Sequence, residues 1–356
     1  MALADGAVRQ GLAARAPRLA RVRVAADRVI RTIAGLRPFR PSGFVVRGEK
    51  LDEKTVIHNY GHGGAGITLS WGTAHLAVEE GARRGVRDCA VIGCGVVGLA
   101  TARLLQERGY EPVIYAKEMP PAVTSSVAGG LWEPTSLFER ASVTAEFRAQ
   151  FGAAARWAFR RYQSLAGDRY GVRWLPLYTL AQSAAGVAPP PLDSPYSDIE
   201  SLYPEGRQLA SRDHPFHVPF AQRRDSMLIE PAIYLNALIR DYQTAGGKIV
   251  IREFRSLGEL TNLSQTLIFN CTGLGARTLF GDRELTTVKG QLVFLLPQPE
   301  VNYMTIGPNG IYMFPRHDGV LLGGSFDRGL ENTEIDPAVT ERILRGNAEL
   351  FGGMRA

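Results

Sequence analysis

Cysteine is scarce: the chain holds three in 356 residues, Cys89, Cys94 and Cys271, none in a C-x-x-C spacing. That excludes a disulfide framework and a cysteine zinc site, and predicts reduced core thiols in a cytoplasmic protein. Long apolar runs are missing too. No stretch approaches the roughly 18 residues needed to cross a bilayer, so no membrane partner is expected. No secretory apolar segment follows Met1. Acids are depleted only at the start, where residues 1–40 hold nine Arg against two Asp. The remainder holds 32 basic and 33 acidic residues, so the net charge of +6 is a local property. A neutral body argues against nucleic acid as the ligand, and the basic segment reads as a solvated helix face. Its composition also resembles an organellar transit peptide, of which at most the first ~25 residues are removable. Internal repeats and long low-complexity tracts are absent. His58 and His62 have no further residues to complete a ligand set, so no metal is expected and both are assigned to loop hydrogen bonding.

What the chain does have is glycine, 39 residues of it, concentrated where chemistry needs bare backbone. The apolar run Cys89-Ala90-Val91-Ile92 meets Gly93-Cys94-Gly95-Val96-Val97-Gly98 and then a helix-forming stretch from Leu99. In this strand–turn–helix, Gly93 permits the tight turn, Gly95 admits a pyrophosphate to the backbone, and Gly98 lets helix and strand pack closely. The helix N-terminus supplies N–H groups and a dipole for the phosphates. Val113-Ile114-Tyr115-Ala116 completes a βαβ unit. The acid expected after this second strand, for the ribose hydroxyls, is replaced by Lys117, with Glu118 one place late. A second glycine loop, His58-Asn59-Tyr60-Gly61-His62-Gly63-Gly64-Ala65-Gly66, opens a helix from Ile67 to about Glu80 and is a second candidate anion or cofactor contact.

The rest reads as an α/β chain long enough for two domains. Two short helices are expected within residues 1–28. Arg37-Pro38 and Arg40-Pro41 force an extended or turning path. Strands are expected at 44–46, 55–57, 227–229, 248–251 and 267–270, the last buried and parallel, and helices at 143–165 and 231–244. Residues 183–195 form a surface loop. From Gln291 three strand patterns, at 291–296, 310–315 and 319–325, predict an antiparallel sheet of a second domain. A helix from Pro337 to about Leu350 follows.

These segments together resemble the D-amino-acid oxidase family of FAD-dependent oxidoreductases. The marks are the Val91–Leu99 glycine turn, Ala128-Gly129-Gly130-Leu131-Trp132-Glu133-Pro134, Asn270-Cys271-Thr272-Gly273, Gly35-Leu36-Arg37-Pro38-Phe39-Arg40-Pro41 and the His58–Thr68 loop. The resemblance implies a Rossmann-like FAD-binding domain, residues 50–132 with 224–285. It also implies a second, mainly antiparallel β substrate domain, residues 1–49, 133–223 and 286–356. Family members begin with the GxGxxG strand and end with the Arg-Pro and His-Asn-Tyr-Gly-His-Gly-Gly segments. Here those closing segments come first, which implies a circular permutation.

The resemblance further implies FAD as cofactor, an amino acid as substrate and O2 as the expected acceptor; a homo-oligomer is left open. Gly93, Gly95, Val96, Val97 and Gly98 would meet the pyrophosphate, and Lys117 and Glu118 the ribose. Thr124, Ser125 and Ser126 would sit near the diphosphate and flavin, together with Gly130, Leu131, Thr272 and Gly273. Gly63, Gly66, Ile67 and Thr68 would face the flavin pyrimidine edge, where donors stabilise negative charge. Among catalytic residues, Arg37 would pair with the substrate α-carboxylate, its fork suiting bidentate binding; the alternative is a structural ion pair, as expected for Arg40. Tyr312 would assist carboxylate binding, the alternative being a core aromatic. The Gly64 carbonyl would accept from the substrate amine. Glu133 stands where vertebrate members carry Gln, and would bind a cationic substrate group or take an ammonium proton, unless it is a solvated loop acid. A lid tyrosine of those members is replaced by Pro308, with Tyr303 the nearest substitute. The implied reaction is oxidative deamination of D-amino acids; the alternatives are oxidation of another amine (glycine, an N-methyl or a basic amino acid) or an inactive flavin binder.

Overall fold

A computed structural model describes residues 18–83 and 85–355. Of the two helices expected in residues 1–28, the part before residue 18 lies outside the described residues. The part inside them is irregular, apart from one 3-10 turn at Ala26–Arg28.

Two sheets carry the architecture. The first has six strands in the order Val45–Leu51, Lys54–Tyr60, Leu267–Asn270, Asp88–Ile92, Glu111–Ala116, Lys248–Ile251. Leu267–Asn270 is parallel to both its neighbours and fully buried; its unbroken apolar run is what a strand covered on both faces requires. Only Val45–Leu51 is antiparallel. The helix Gly66–Ala82 then runs the chain back toward the edge from which Asp88–Ile92 starts. It is buried on nearly all sides, between Val96–Glu107 and Ala145–Ser164. Gly72 makes the second contact possible: a Cβ there would stand 1.8 Å from the Ala154 carbonyl oxygen.

The second sheet has the order Val29–Phe39, Thr286–Leu295, Gly319–Gly323, Tyr312–Arg316, Met304–Ile306, Val172–Ala181, Phe220–Ile229, Arg207–Leu209, with Asp327–Arg328 added beside Thr286–Leu295. It is antiparallel except where Met304–Ile306 meets Val172–Ala181. The strand Val172–Ala181 was not anticipated, because Pro176 interrupts its pattern. Pro176 falls outside the 177–179 stretch paired with Met304–Ile306, so its missing N–H breaks no ladder on that side.

Lys54–Tyr60 and Asp88–Ile92 flank the same central strand. The His58–Thr68 loop and the Gly93–Gly98 turn, 30 or so residues apart, therefore emerge together at the carboxyl ends of parallel strands, the edge where open α/β sheets bind ligands. Three elements depart from the expected grouping. Val45–Leu51 crosses residue 50 and joins the six-stranded sheet, Phe220–Ile229 crosses residue 224 within the nine-stranded one, and Ala145–Ser164 packs on Gly66–Ala82.

Candidate active site

One cavity of about 1140 Å³ runs along this edge and on to the face of the nine-stranded sheet. Its floor is the glycine turn. Gly93 has φ +113°, and a Cβ there would lie 2.4 Å from the Cys271 carbonyl oxygen. A Cβ on Gly98 would lie 2.1 Å from the Gly93 carbonyl oxygen. Gly98 thus packs helix against strand and does not line the cavity, whereas Gly93, Gly95, Val96 and Val97 do. The Val96 N–H donates to Ser125 Oγ at 3.0 Å, and the first helical bond runs from the Leu99 N–H to the Gly95 carbonyl at 2.9 Å. Of the N–H groups before Leu99, those of Gly93 and Val96 are taken by the Tyr115 carbonyl and Ser125 Oγ, so an anion would meet the others and the helix dipole.

At the outer end lie Lys117 and Glu118, both exposed. Arg252, Glu253, Phe254 and Arg255 join them on the wall. These four were not anticipated. They follow Lys248–Ile251, which pairs in parallel with Glu111–Ala116 and so ends at the same edge; no motif marks them, and only the strand order reveals them.

At the inner end Gly63, Gly64, Gly66, Ile67 and Thr68 form one wall. A Cβ on Gly63 would be 2.1 Å from the Ser136 carbonyl oxygen, and one on Gly64 2.8 Å from that of Thr135. The Gly64 N–H donates to the Ser136 carbonyl at 3.0 Å. The two glycines therefore let the 135–136 segment cross the loop. Thr124, Ser125, Gly130, Leu131, Glu133, Thr272 and Gly273 line the same cavity. Ser126 does not; its hydroxyl is buried without a hydrogen-bond partner.

Arg37 and Tyr312 reach the cavity from the nine-stranded sheet. The Arg37 guanidinium passes over Gly290, where a Cβ would lie 2.4 Å from Nη2. No acid pairs with Arg37 among the described residues, and its Nη1 is buried without a partner. Its guanidinium carbon lies over the Phe326 ring, 5.9 Å from the centroid. Tyr312 stands beside it, its ring stacked 4.9 Å from that of Phe314 and fitted over Gly323, where a Cβ would lie 2.1 Å from the ring. Burial raises the Tyr312 pKa and the adjacent Arg37 opposes the rise, so the hydroxyl stays a donor. Gly290 and Gly323 were not anticipated as site residues, although glycine inside a strand is the signal of such a close approach. Arg40, by contrast, is bound structurally: Nε donates to Asp282 at 2.8 Å, and a second nitrogen meets Glu284.

Two expectations need correction. Tyr303 cannot substitute for a lid tyrosine. It is fully buried in a separate cluster, donating to the Ala20 carbonyl at 2.7 Å. The place of the lid is a short turn, Pro308–Gly310, that sets Asn309 and Gly310 at the rim. Nor is Glu133 a solvated loop acid. Its side chain is 21% exposed and accepts from Arg224 Nη2 at 2.7 Å. Burial raises its pKa, with Arg224 opposing.

Of the two histidines expected in the loop, His62 lies there, whereas His58 belongs to the strand Lys54–Tyr60. His58 Nδ1 bonds Asn270 at 3.0 Å and its Nε2 lies 3.2 Å from Glu49. His62 Nε2 bonds Thr73 Oγ1 at 2.8 Å, and complete burial lowers its pKa to about 3. No metal-binding group of His, Cys, Asp or Glu occurs among the described residues. Because the folded pKa of His62 lies below the unfolded value, the unfolded chain binds more protons at pH 3–6.5, and stability falls as pH drops through that window. The expected result of urea titrations is a decline of at most about 1.4 kcal/mol per pH unit from this group. In His62→Gln that part of the slope should be absent.

The three cysteines are buried, and burial pushes each thiol up to about 12, so none is reactive. No described helix is long and apolar enough to cross a membrane.

Comparison with known proteins accounts for this arrangement. The FAD dependent oxidoreductase (DAO) family matches residues 4–80 and 88–356. A D-amino-acid oxidase from Rubrobacter xylanophilus is 30% identical over 267 residues, 74% of this chain and 76% of the relative. A D-aspartate oxidase from Homo sapiens is 29% identical over 261 residues, 72% and 73% of the two chains. The crystal structure of glycine oxidase from Geobacillus kaustophilus shares the fold, with a TM-score of 0.55 at 18% identity over 74% of this chain and 78% of that one. FAD fits the cavity. Glycines without room for a Cβ line its floor and inner wall, the N-terminus of helix Val96–Glu107 opens onto it, and the wall continues from Lys117 to Arg37. The chain belongs to the FAD dependent oxidoreductase family, and is an oxidoreductase whose cofactor is FAD.

Proposed function

We propose that the protein oxidatively deaminates D-amino acids to 2-oxo acids and ammonia, with O2 reduced to hydrogen peroxide. The observation that carries this reading is Arg37, a guanidinium with no acidic partner among the described residues and a buried, unpartnered nitrogen, at the wall of the cofactor cavity. A partly buried cation without a counter-charge is costly, so this site suits an anion that arrives with the substrate. Arg37 holds the α-carboxylate through two parallel hydrogen bonds, and the Tyr312 hydroxyl donates to one of its oxygens. The Gly64 carbonyl accepts from the amine. With carboxylate and amine fixed, Cα is held in one orientation, and Leu292, Ile306 and Phe314 give an apolar wall for the side chain. Bound FAD supplies the acceptor for the Cα hydride. Water then hydrolyses the imino acid. The D configuration rests on the relatives named D-amino-acid oxidase.

The chain order is, in this reading, a circular permutation that joins two discontinuous domains. Three observations support it. The family matches in two segments, 4–80 and 88–356. The helix Gly66–Ala82 leads directly toward the glycine-turn strand. The Arg21 guanidinium meets the Met354 carbonyl, so residues 333 apart in sequence are neighbours.

The test is anaerobic mixing of the yellow protein with D-alanine or L-alanine. The expected result is bleaching of the flavin absorbance by the D enantiomer alone. Bleaching by glycine, N-methyl or L-amino acids in preference would replace this reading with another amine oxidation.

A further inference from the structure

We propose that Arg224 determines the charge preference of the site. It holds the Glu133 carboxylate in an ion pair at the cavity wall, and so confines the enzyme to D-amino acids with uncharged side chains. The inference rests on the D-amino-acid reading above.

Glu133 lies in a strap that lines the cavity. The strap is fixed on both sides. The Trp132 N–H donates to the Met227 carbonyl at 2.8 Å, and the Ile229 N–H to the Gly130 carbonyl at 2.7 Å. On the cavity side Thr68 Oγ1 donates to the Glu133 carbonyl at 3.3 Å. Arg224 comes from the strand Phe220–Ile229, the same strand that holds the strap, so acid and base are set in register by the backbone. Arg224 Nη2 to Glu133 Oε2 is 2.7 Å, and the Arg224 side chain is only 12% exposed. Its guanidinium lies 3.8 Å above the Tyr203 ring, which fixes its plane. Glu200, half-buried, approaches Arg224 at 3.7 Å.

An unpaired carboxylate at this wall would attract a cationic side chain and repel an acidic one. The ion pair cancels that selectivity, and the desolvated acid is tolerated because its partner is within bonding distance. Arg224 acts through Glu133 and needs no contact with substrate, so it is a positioning residue.

The experiment compares kcat/KM for D-lysine with that for D-norleucine, which differ by one terminal cation. The parent should prefer D-norleucine. In Arg224→Met the ratio should shift toward D-lysine by about tenfold or more, as expected for uncovering a partly buried charge. Arg224→Lys should restore the parent ratio, and Arg224→Met/Glu133→Gln should abolish the shift. A merely structural Arg224 would lower both substrates together and leave the ratio alone. An unshifted ratio in an FAD-loaded Arg224→Met that still oxidises D-norleucine overturns the inference while leaving the D-amino-acid reading intact. A parent that oxidises D-lysine as well as D-norleucine overturns it without any variant. A parent that oxidises no D-amino acid overturns both.

Discussion

Arg37→Ala should keep its FAD and its fold and lose about 2–5 kcal/mol of transition-state stabilisation in kcat/KM, the range for truncating one partner of a buried charge pair. The fold should survive because Arg37 makes no ion pair among the described residues and Nη1 is unpartnered, its polar neighbour being Tyr312 at the cavity wall. Arg37→Lys should recover only part of the loss, since a point charge cannot make two parallel hydrogen bonds. Benzoate should compete with substrate in the parent and lose affinity in both variants. Arg40 is the internal control. It is tied to Asp282, Glu284, Ser42 and the Gly43 carbonyl, so Arg40→Ala should lower the melting temperature and leave benzoate affinity nearly unchanged. Steady-state kinetics and spectral titration with benzoate separate the two outcomes.

Gly98→Val should give a colourless protein. The Cβ alone would sit 2.1 Å from the Gly93 carbonyl oxygen, and that oxygen belongs to the backbone of the turn itself. Helix Val96–Glu107 must then withdraw from strand Asp88–Ile92, opening the turn proposed to hold the diphosphate. Overpacking of this kind costs about 1–3 kcal/mol in stability, but the larger effect should be on cofactor affinity, because the helix N-terminus moves with the backbone. The purified variant should be folded by circular dichroism, retain no flavin after gel filtration, and take up added FAD at least tenfold more weakly. Full FAD content would contradict the packing role given to Gly98.

The residues that were legible in the sequence are those whose chemistry needs a particular backbone or side chain. Gly93, Gly95 and the Gly63–Thr68 loop stand out because glycine before a helix is informative by itself, and Leu267–Asn270 because an unbroken apolar run has few other uses. Arg37 and Tyr312 were reached through resemblance alone; nothing in their immediate spacing distinguishes an anion clamp from a surface pair. What could not be read was what depends on neighbours distant in sequence. Gly290 and Gly323 acquire meaning only once Arg37 and Tyr312 are seen to lie across them on adjacent strands. Arg252 to Arg255 join the cavity through strand order. Glu133 could be placed at the wall, but its partner Arg224 is 91 residues away, and pairing cancels the charge that an isolated acid would present. Tyr303 failed as a lid for the same reason: proximity in sequence to Pro308 said nothing of the cluster in which it is buried.

The most direct measurement is peroxide release by the purified yellow protein from a panel of D-amino acids, their L enantiomers, glycine and N-methyl amino acids, with ammonia and 2-oxo acid quantified in parallel. The account predicts equal amounts of peroxide, ammonia and 2-oxo acid from neutral D-amino acids, D-alanine among them, and none from the L series. Turnover of L-amino acids, or of glycine and N-methyl amino acids in preference to every D-amino acid, would contradict it.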